Sequence, residues 1–240
     1  MPGPVKTQGV VLRSLRYGEA DRILHLYTRE RGKMGAIAKG VRRARSRFGG
    51  RLEPFFRLDL ILHEGRSELL TVTGAETVAG YPRLREHAGA LDTAARACDA
   101  VSRLFDTSDP HPGVYNLLCN ELALLDGDPA RAGHANQLAF RLKLLLAAGL
   151  APQLAACVSC GEREHLSGFS GAAGGVVCPA CEAGSFPLDE EAHAFLVGAM
   201  GRPLAETPPA AERALRQAER AIVDTVEHHA GVRWREAVAG

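Results

Sequence analysis

Apolar and polar residues alternate in short runs over the first third of the chain, and glycine or charged residues separate these runs. The runs lie at residues 10–12, 23–27, 35–38, 56–62 and 69–72. A period of two is typical of strands that bury one face. The pattern therefore predicts five strands between Thr7 and Val78. Five antiparallel strands in so short a stretch fit a small Greek-key barrel of the OB type, a fold that binds single strands on its open face and loops.

After Tyr81 and Pro82 the apolar positions change to the period of amphipathic helices. Gly149 and Pro152 form the glycine-then-proline end of one helix, and Pro209 is expected in the first turn of another. These signals predict an α+β protein with an OB-fold barrel at residues 1–80 and an all-helical domain at residues 81–240. The predicted helices span residues 84–105, 115–125, 135–150, 189–200 and 209–229.

The composition is that of an ordinary soluble protein, with 46% hydrophobic and 24% charged residues. No apolar run approaches the roughly 20 residues that a membrane span needs, and residues 1–8 lack the profile of a signal peptide. We therefore expect a cytoplasmic protein without a membrane partner. In that reducing compartment, six cysteines favour metal binding or free thiols over disulfides.

Two CxxC pairs form the strongest local motif in the chain. Cys157 and Cys160 make the first pair, and Cys178 and Cys181 make the second, with seventeen residues between the pairs. Two such turns facing each other complete a tetrahedron of thiolates around zinc. Residues 166–177 read as a short hairpin between them, so the motif predicts a zinc ribbon inserted at residues 154–187.

One structural zinc ion is the cofactor that this motif predicts. Four thiolates leave no open coordination position, whereas catalytic zinc normally keeps one for water or substrate. A catalytic zinc is therefore the weaker alternative. A redox dithiol is weaker still, because a second CxxC stands at ribbon spacing.

Positive charge is concentrated in the first third of the chain, although the net charge of the whole is only +1. Residues 1–83 carry 16 Lys and Arg against 8 Asp and Glu, a net charge of +8. Residues 84–240 carry 13 against 20, a net charge of −7. Such a division favours contact of the basic part with nucleic acid or membrane, and a protein-facing role for the acidic part.

The basic segment, residues 39–51, holds six cationic side chains in thirteen residues and no acid. A charge run is often only a solvated face. Here five of the six are arginine, whose guanidinium matches phosphate, glycines allow close approach of the backbone, and Phe48 offers a ring on which a base could stack. The residues predicted to contact nucleic acid are Lys39, Arg42, Arg43, Arg45, Arg47, Phe48 and Arg51 in the segment, with Arg16 and Arg22 in the first two strands.

Other functional classes find less support in the sequence. The basic segment has no apolar face to insert into a membrane. No phosphate loop of the GxxxxGK[ST] type, HExxH motif or GxSxG elbow occurs. No catalytic set emerges, and we expect a protein that is not an enzyme.

Motifs in the barrel region and at the first cysteine pair carry a family resemblance. With these motifs the chain resembles the bacterial RecO family of DNA repair proteins. The stretches are GVVLR at 9–13, YGEADR at 17–22, YTRERGK at 27–33, AKGVRR at 38–43 with Ser46 and Arg47, LEPF at 52–55 and LAAGLAPQLAACVSCG at 146–161.

The resemblance implies a mediator of DNA repair and homologous recombination in the cytoplasm, associated with the nucleoid. Members of this family bind single- and double-stranded DNA and anneal complementary strands. They also bind the acidic C-terminal tail of single-strand-binding protein (SSB), and with RecR they help to load RecA onto SSB-coated strands. The cations of the basic segment take the DNA-binding role by position. Arg141 and Lys143, beside leucines in one predicted helix, are the expected docking point for the tail.

A second class of function stays open at this point. An accessory factor of transcription or translation could also pair an OB barrel with a zinc ribbon, and it would bind polymerase or structured RNA without annealing strands. A metal-dependent nuclease would need a carboxylate cluster for magnesium in the barrel, and the sequence offers none.

Overall fold

The computed structural model describes residues 3–43, 46, 48–65 and 69–234. The chain divides into two compact units, Met1–Gly127 and Asp128–Gly240. Within the described residues, the first unit holds a β-barrel and three α-helices, and the second holds three further α-helices and a small sheet. No helix of the described part is long and apolar enough to cross a membrane.

The barrel closes from five strands in the order β1-β2-β3-β5-β4. Its strands pair antiparallel except β3 and β5, which run parallel through Ala36 and Ile37. This is the arrangement of an OB fold, and the predicted fold class is confirmed. The strands are β1 (Val5–Tyr17), β2 (Asp21–Thr28), β3 (Gly32–Ala38), β4 (Arg57–His63) and β5 (Leu70–Ala79).

Strand β1 is long enough to pair with both of its neighbours. Residues 5–10 pair with β4 and residues 9–17 pair with β2, and a bulge between Val11 and Arg13 shifts the register with β2. Such a bulge inserts one extra residue and turns the following side chains to the other face. Beyond the barrel wall, β1 and β2 therefore continue as a hairpin whose turn lies at residues 18–20.

The period of two in the sequence reflects the inward face of the barrel. Leu24 and Leu26 of β2, Ala36 and Ala38 of β3 and the leucines of β4 are buried in one core, while the residues between them face outward. The predicted positions of the five strands are thus confirmed. The alternation of apolar and polar residues in the sequence corresponds to the alternation of buried and exposed side chains along each strand.

Three helices follow the barrel in the first unit. The predicted helix 84–105 is two helices, because the backbone at His87 is extended. The second of these packs on the barrel: the Lys33 ammonium donates to the Ser102 carbonyl at 2.8 Å, and the Phe105 ring meets the Tyr27 ring edge-on at 6.4 Å. The helices are α1 (Pro82–Arg85), α2 (Ala88–Leu104) and α3 (Pro112–Gly127).

The domain limits inferred from the sequence, 1–80 and 81–240, stay a prediction. The last strand of the barrel ends at Ala79, but the first compact unit continues to Gly127 because α2 packs against β1.

The second unit combines α4 (His134–Ala147), α5 (Glu190–Gly201) and α6 (Glu212–Ala230) with three short strands. Asp189 caps α5 by accepting from the Ala192 N–H at 2.9 Å. The prediction that Pro209 lies in the first turn of the last helix is wrong. That helix begins at Glu212, and the Ala211 N–H at its N-cap donates to Glu191 at 2.7 Å.

A ribbon joins α4 to α5 within the second unit. Its strands are β6 (Gly168–Ser170), β7 (Gly175–Val177) and β8 (Phe186–Pro187), in the order β7-β6-β8. The predicted hairpin across residues 166–177 is the antiparallel pair β6 and β7.

Candidate nucleic-acid interface and metal centre

The basic segment begins on the turn of the β1–β2 hairpin. The Gly40 N–H donates to the Asp21 carboxylate at 2.8 Å, and the Arg42 N–H donates to the Ala20 carbonyl at 3.0 Å. Gly40 has φ +68°, a backbone conformation that favours glycine. These bonds fix the first residues of the segment against the hairpin.

Apolar side chains of the segment enter the barrel core. Val41 and Phe48 of the segment, and Leu52 directly after it, are buried there with the strand residues, and Phe48 is only 2% exposed. The prediction that Phe48 offers a stacking face for a base is therefore wrong. An aromatic side chain among arginines gains more from leaving water than from staying in it, and here it secures the segment.

The cations of the segment point to solvent while its apolar residues point inward. Lys39, Arg42, Arg43 and Arg51 are exposed, as is Arg16 near the end of β1. Arg45 and Arg47, which the sequence also predicts as contacts, lie outside the described residues. The described cations thus form an exposed basic surface, and their contact with nucleic acid stays a prediction.

Arg22 stands apart from this surface because it is held inside an ion pair. Its guanidinium lies 2.8 Å from the Glu53 carboxylate and donates to the Ser14 hydroxyl at 2.9 Å, and its side chain is 17% exposed. This geometry argues against the predicted contact with nucleic acid. The pair instead ties the end of the basic segment to β2, as Asp21 ties its beginning.

Two exposed apolar side chains near the hairpin turn were not found from the sequence. Tyr17 is 54% exposed and Leu15 is 43% exposed. The pattern of β1 places both on the same side as buried Val11, since they differ from it by even numbers. The bulge after Val11 reverses that parity and turns them outward. Only an unpaired residue at Leu12 distinguishes the two readings, and no local signal marks it.

The four predicted metal ligands lie together, with their Sγ atoms all within 4.8 Å of one another. In a tetrahedral site with Zn–S bonds near 2.3 Å, the S–S distance is about 3.8 Å. The Sγ atoms of Cys160 and Cys178, one from each pair, are 3.7 Å apart. The arrangement therefore fits a single tetrahedral metal ion, and Cys157, Cys160, Cys178 and Cys181 are the residues that would hold it.

Tight turns place each cysteine pair. The Gly161 N–H donates to the Cys157 carbonyl at 2.9 Å, and the Cys181 N–H donates to the Cys178 carbonyl at 2.9 Å. Gly161 has φ +82°, as expected for a turn that wraps around a metal. Among the described residues the four thiols form the one candidate metal-ligand group, and a set of four thiolates is typical of a structural site.

The protons of this cluster are unevenly held. Backbone N–H groups, first that of Cys178, lower the pKa of Cys157 to about 6. Hydrogen bonds with the Cys160 and Cys178 thiols, together with burial, raise the pKa of Cys181 to about 12. Because metal binding must displace the remaining protons, the affinity for metal rises with pH.

The ribbon is attached to the helices of its own unit by side chains. The His193 ring donates to the Leu154 carbonyl at 2.7 Å, and the His229 ring donates to the Gly171 carbonyl at 2.9 Å. The Arg220 guanidinium lies over the Phe186 ring, 4.1 Å from its centre. These contacts hold the ribbon against α5 and α6.

The predicted partner-binding groove on α4 is wrong for Arg141. That side chain is 3% exposed, 3.4 Å from the Glu219 carboxylate, and its guanidinium lies over the Trp234 ring. Lys143 is half-buried and donates to the Met200 carbonyl at 3.3 Å. Helix α4 packs against both α5 and α6, so neither residue lies on an open basic groove.

Comparisons with known proteins identify the family of the chain. A family model described as Recombination protein O N terminal matches residues 1–81, and one described as Recombination protein O C terminal matches residues 89–236. The DNA repair protein RecO of Anaeromyxobacter dehalogenans strain 2CP-C is 39% identical over 237 residues, covering 95% of this chain and 92% of that protein. RecO of Rubrobacter xylanophilus is 39% identical over 224 residues, covering 91% and 88%. RecO of Bifidobacterium adolescentis is 44% identical over 181 residues, covering 72% of each.

Proposed function

The chain belongs to the RecO family of DNA repair and recombination proteins, and on this premise we propose that it is a recombination mediator. It binds single- and double-stranded DNA on the basic surface of the barrel and anneals complementary strands. With RecR it helps to load RecA onto SSB-coated single-stranded DNA. It does this without breaking or forming covalent bonds.

The single observation that carries the proposal is the exposed basic surface and the way it is held. Lys39, Arg42 and Arg43 face solvent from a segment whose backbone is bonded to the β1–β2 turn and whose apolar residues are buried in the barrel. A fixed array of cations binds a polyanion with less loss of conformational entropy than a free loop does. The binding is dominated by phosphates, so it tolerates any sequence and weakens steeply with salt.

Annealing follows from the same electrostatics. Two complementary strands repel each other through their phosphates, and a dense cationic face lowers that repulsion when both strands approach it. Contacts to phosphate leave the base edges free to pair. Cys157, Cys160, Cys178 and Cys181 would hold a structural zinc ion, which would stabilise the ribbon of the second unit and would take no part in annealing.

The partners are proposed from the family and not from a surface on this chain. SSB contributes its acidic C-terminal tail, and RecR and RecA follow in the loading reaction. Because Arg141 is buried, the tail requires a different docking point.

The test follows fluorescence energy transfer between complementary labelled strands, first bare and then coated with the cognate SSB. The variant Lys39→Ala/Arg42→Ala/Arg43→Ala removes three charges from the basic surface. The control Arg202→Ala/Arg213→Ala/Arg233→Ala removes three charges from exposed arginines of the second unit. We expect the native chain and the control to anneal bare strands rapidly and the basic-surface variant to lose most of that rate.

Two results would overturn the proposal. Absence of annealing by the native chain at low salt would leave a nucleic-acid-binding module of another kind, such as an accessory factor of transcription or translation. Equal annealing by both variants would remove the basic surface as the DNA site. Coating the strands with SSB that lacks its C-terminal tail should slow annealing by the native chain, if the tail recruits it.

A further inference from the structure

The exposed apolar residues of the β1–β2 hairpin have no role in phosphate binding, yet they stand beside the basic surface. From this juxtaposition we infer that Tyr17 is a stacking platform for an unpaired base of the bound strand, and that it gives the barrel a preference for single-stranded over duplex DNA. The inference rests on the proposed DNA-binding function and deepens it.

Tyr17 belongs to a strip of apolar side chains on the outer face of the barrel. Leu15 lies two residues before it and pairs across the ladder with Ile23, which in turn pairs with Ile37 of β3. Leu15 is 43% exposed, and the two isoleucines are half-buried. Their neighbours Leu24, Ala36 and Ala38 point into the core, so the strip is the opposite face of the same three strands. Exposure of an apolar strip to water is unfavourable in free energy, and burial of the strip under a bound ligand would recover that free energy.

Basic residues lie next to the exposed end of this strip in the strand and in the turn. Arg16 precedes Tyr17 in sequence, and Arg13 lies on the same outward face as Leu15. Tyr17 pairs with Asp21, and Asp21 accepts the Gly40 N–H that begins the basic segment. Arg42 is bonded through its backbone to Ala20 in the same turn. Tyr17 and the start of the basic segment are therefore attached to the same turn, through Asp21 and Ala20.

Nucleobases are the occupant that this chemistry fits. A strand that lays its phosphates along the cations brings its bases over the neighbouring surface, and each base can stack on an aromatic face whatever its identity. The bases of a duplex are already stacked and paired, so they cannot reach Tyr17 without paying to unstack. The ring thus adds affinity for single strands and none for duplex, while the cations serve both.

The experiment compares three probes of equal length: oligothymidylate, the same strand without bases, and a duplex. Binding is measured by fluorescence anisotropy for the native chain, Tyr17→Ala and Tyr17→Phe. Val78→Ala is the control, because Val78 is an exposed apolar residue elsewhere on the barrel at 40% exposure. We expect Tyr17→Ala to bind oligothymidylate roughly five- to 150-fold more weakly, the range for loss of one stacked base. Its affinity for the strand without bases and for the duplex should stay unchanged, and Tyr17→Phe and Val78→Ala should bind like the native chain.

Salt dependence separates this inference from the function on which it rests. Tyr17→Ala should keep the native slope of log affinity against log salt, because it removes no phosphate contact, whereas Arg42→Ala/Arg43→Ala should lower that slope. If the native chain binds none of the probes at low salt, the proposed function and the stacking role fail together. If it binds all three and Tyr17→Ala weakens them equally or not at all, the stacking role alone is refuted. A Tyr17→Ala variant that binds DNA like the native chain but no longer binds SSB would also refute the stacking role, because the strip would then be a protein-binding surface.

Discussion

Two long connecting segments in this protein are fixed by different means. The basic segment runs between β3 and β4, and the ribbon runs between α4 and α5. The first is pinned by Val41, Phe48 and Leu52, which enter a core that the barrel strands already form. The second brings four thiols together at its own centre. A segment beside a large core can be ordered by packing its apolar side chains into that core. A segment without such a core needs another source of folding free energy.

The size of the local core explains the difference. The apolar cluster around the thiols is small and consists of Val177 with the partly buried Val158 and Leu166. The ribbon also buries Phe169 against Phe186. A core of this size rarely orders a chain by itself, and a metal ion bound by the thiols would add folding free energy. In the basic segment, exposure of the cations does not weaken the packing against the barrel, because the buried residues and the charged residues are different ones. The comparison predicts that the two segments fail independently.

Removal of one thiol should have the largest effect, confined to the ribbon. Structural zinc supplies about 10–16 kcal/mol in isolated zinc-binding peptides, so Cys160→Ser should cost the chain its metal and unfold residues 154–187 locally. Elemental analysis and amide hydrogen exchange measure the two outcomes. Ser159→Ala, in the same turn, is the control and should keep both metal and protection.

The barrel should be unaffected by the Cys160→Ser substitution. Cys160→Ser is expected to bind DNA with native affinity, since the basic surface belongs to the first unit. Stoichiometric metal and unchanged melting in this variant would contradict a structural metal site. Loss of DNA binding would contradict the independence of the two segments.

Phe48→Ala should produce the converse result. Truncation of a buried phenylalanine typically costs about 3–5 kcal/mol, and here it should also release the basic segment from the core. We expect a lower midpoint of thermal unfolding, faster amide exchange in the basic segment and full retention of metal. Phe169→Ala is the control, because it makes the same substitution at a fully buried phenylalanine of the other segment, in the ribbon strand β6. A Phe48→Ala variant as stable as the native chain would show that the segment is held by its hydrogen bonds alone.

The elements that could be predicted from the sequence are those written in a local pattern. Alternation located the five strands, and the CxxC spacing located the four cysteines that cluster in the fold. Both patterns report contacts within a few residues or a fixed covalent spacing.

The residues that could not be predicted depend on distant partners. The basic segment has no period, so nothing in it shows that Phe48 points inward. Arg22 is paired with Glu53, which lies 31 residues away. Arg141 lies on a helix that is covered by two others, and burial on several faces erases the amphipathic signal. Tyr17 faces outward because of one bulge, and a single inserted residue inverts every later side chain.

A smaller effect is expected from releasing Arg22. Glu53→Gln removes the carboxylate that neutralises it and should lower the free energy of unfolding by about 1 kcal/mol or less, the usual range for a pair open to solvent on one side. The freed guanidinium adds one charge to the basic surface. DNA affinity at low salt should therefore rise, with a steeper salt dependence. Glu64→Gln, which breaks the 3.8 Å pair with Arg31, is the control for a change of net charge. Equal gains in both variants would mean that only the overall charge matters.

The smallest effect concerns the response of the barrel to pH. Burial first, then Lys33 and Arg13, lower the pKa of His25 from its ordinary value near 6.5. In the unfolded chain this ring takes up a proton as the pH falls through that value, while the folded barrel still excludes it. The barrel should therefore lose stability as the pH falls below about 6.5, and the loss should end once the pH passes the lowered pKa of the folded state.

His25→Gln tests this, since glutamine does not titrate. The thermal unfolding midpoint and the amide-exchange protection of the barrel should both fall less on acidification in the variant than in the native chain. The ribbon serves as the internal reference, because its stability follows the loading of metal and is indifferent to His25. If the native chain and the variant respond equally to acidification, His25 adds nothing to the acid response of the barrel. A larger response in the native chain would show that burial of His25, together with the nearby charges of Lys33 and Arg13, keeps the proton off the ring in the folded barrel.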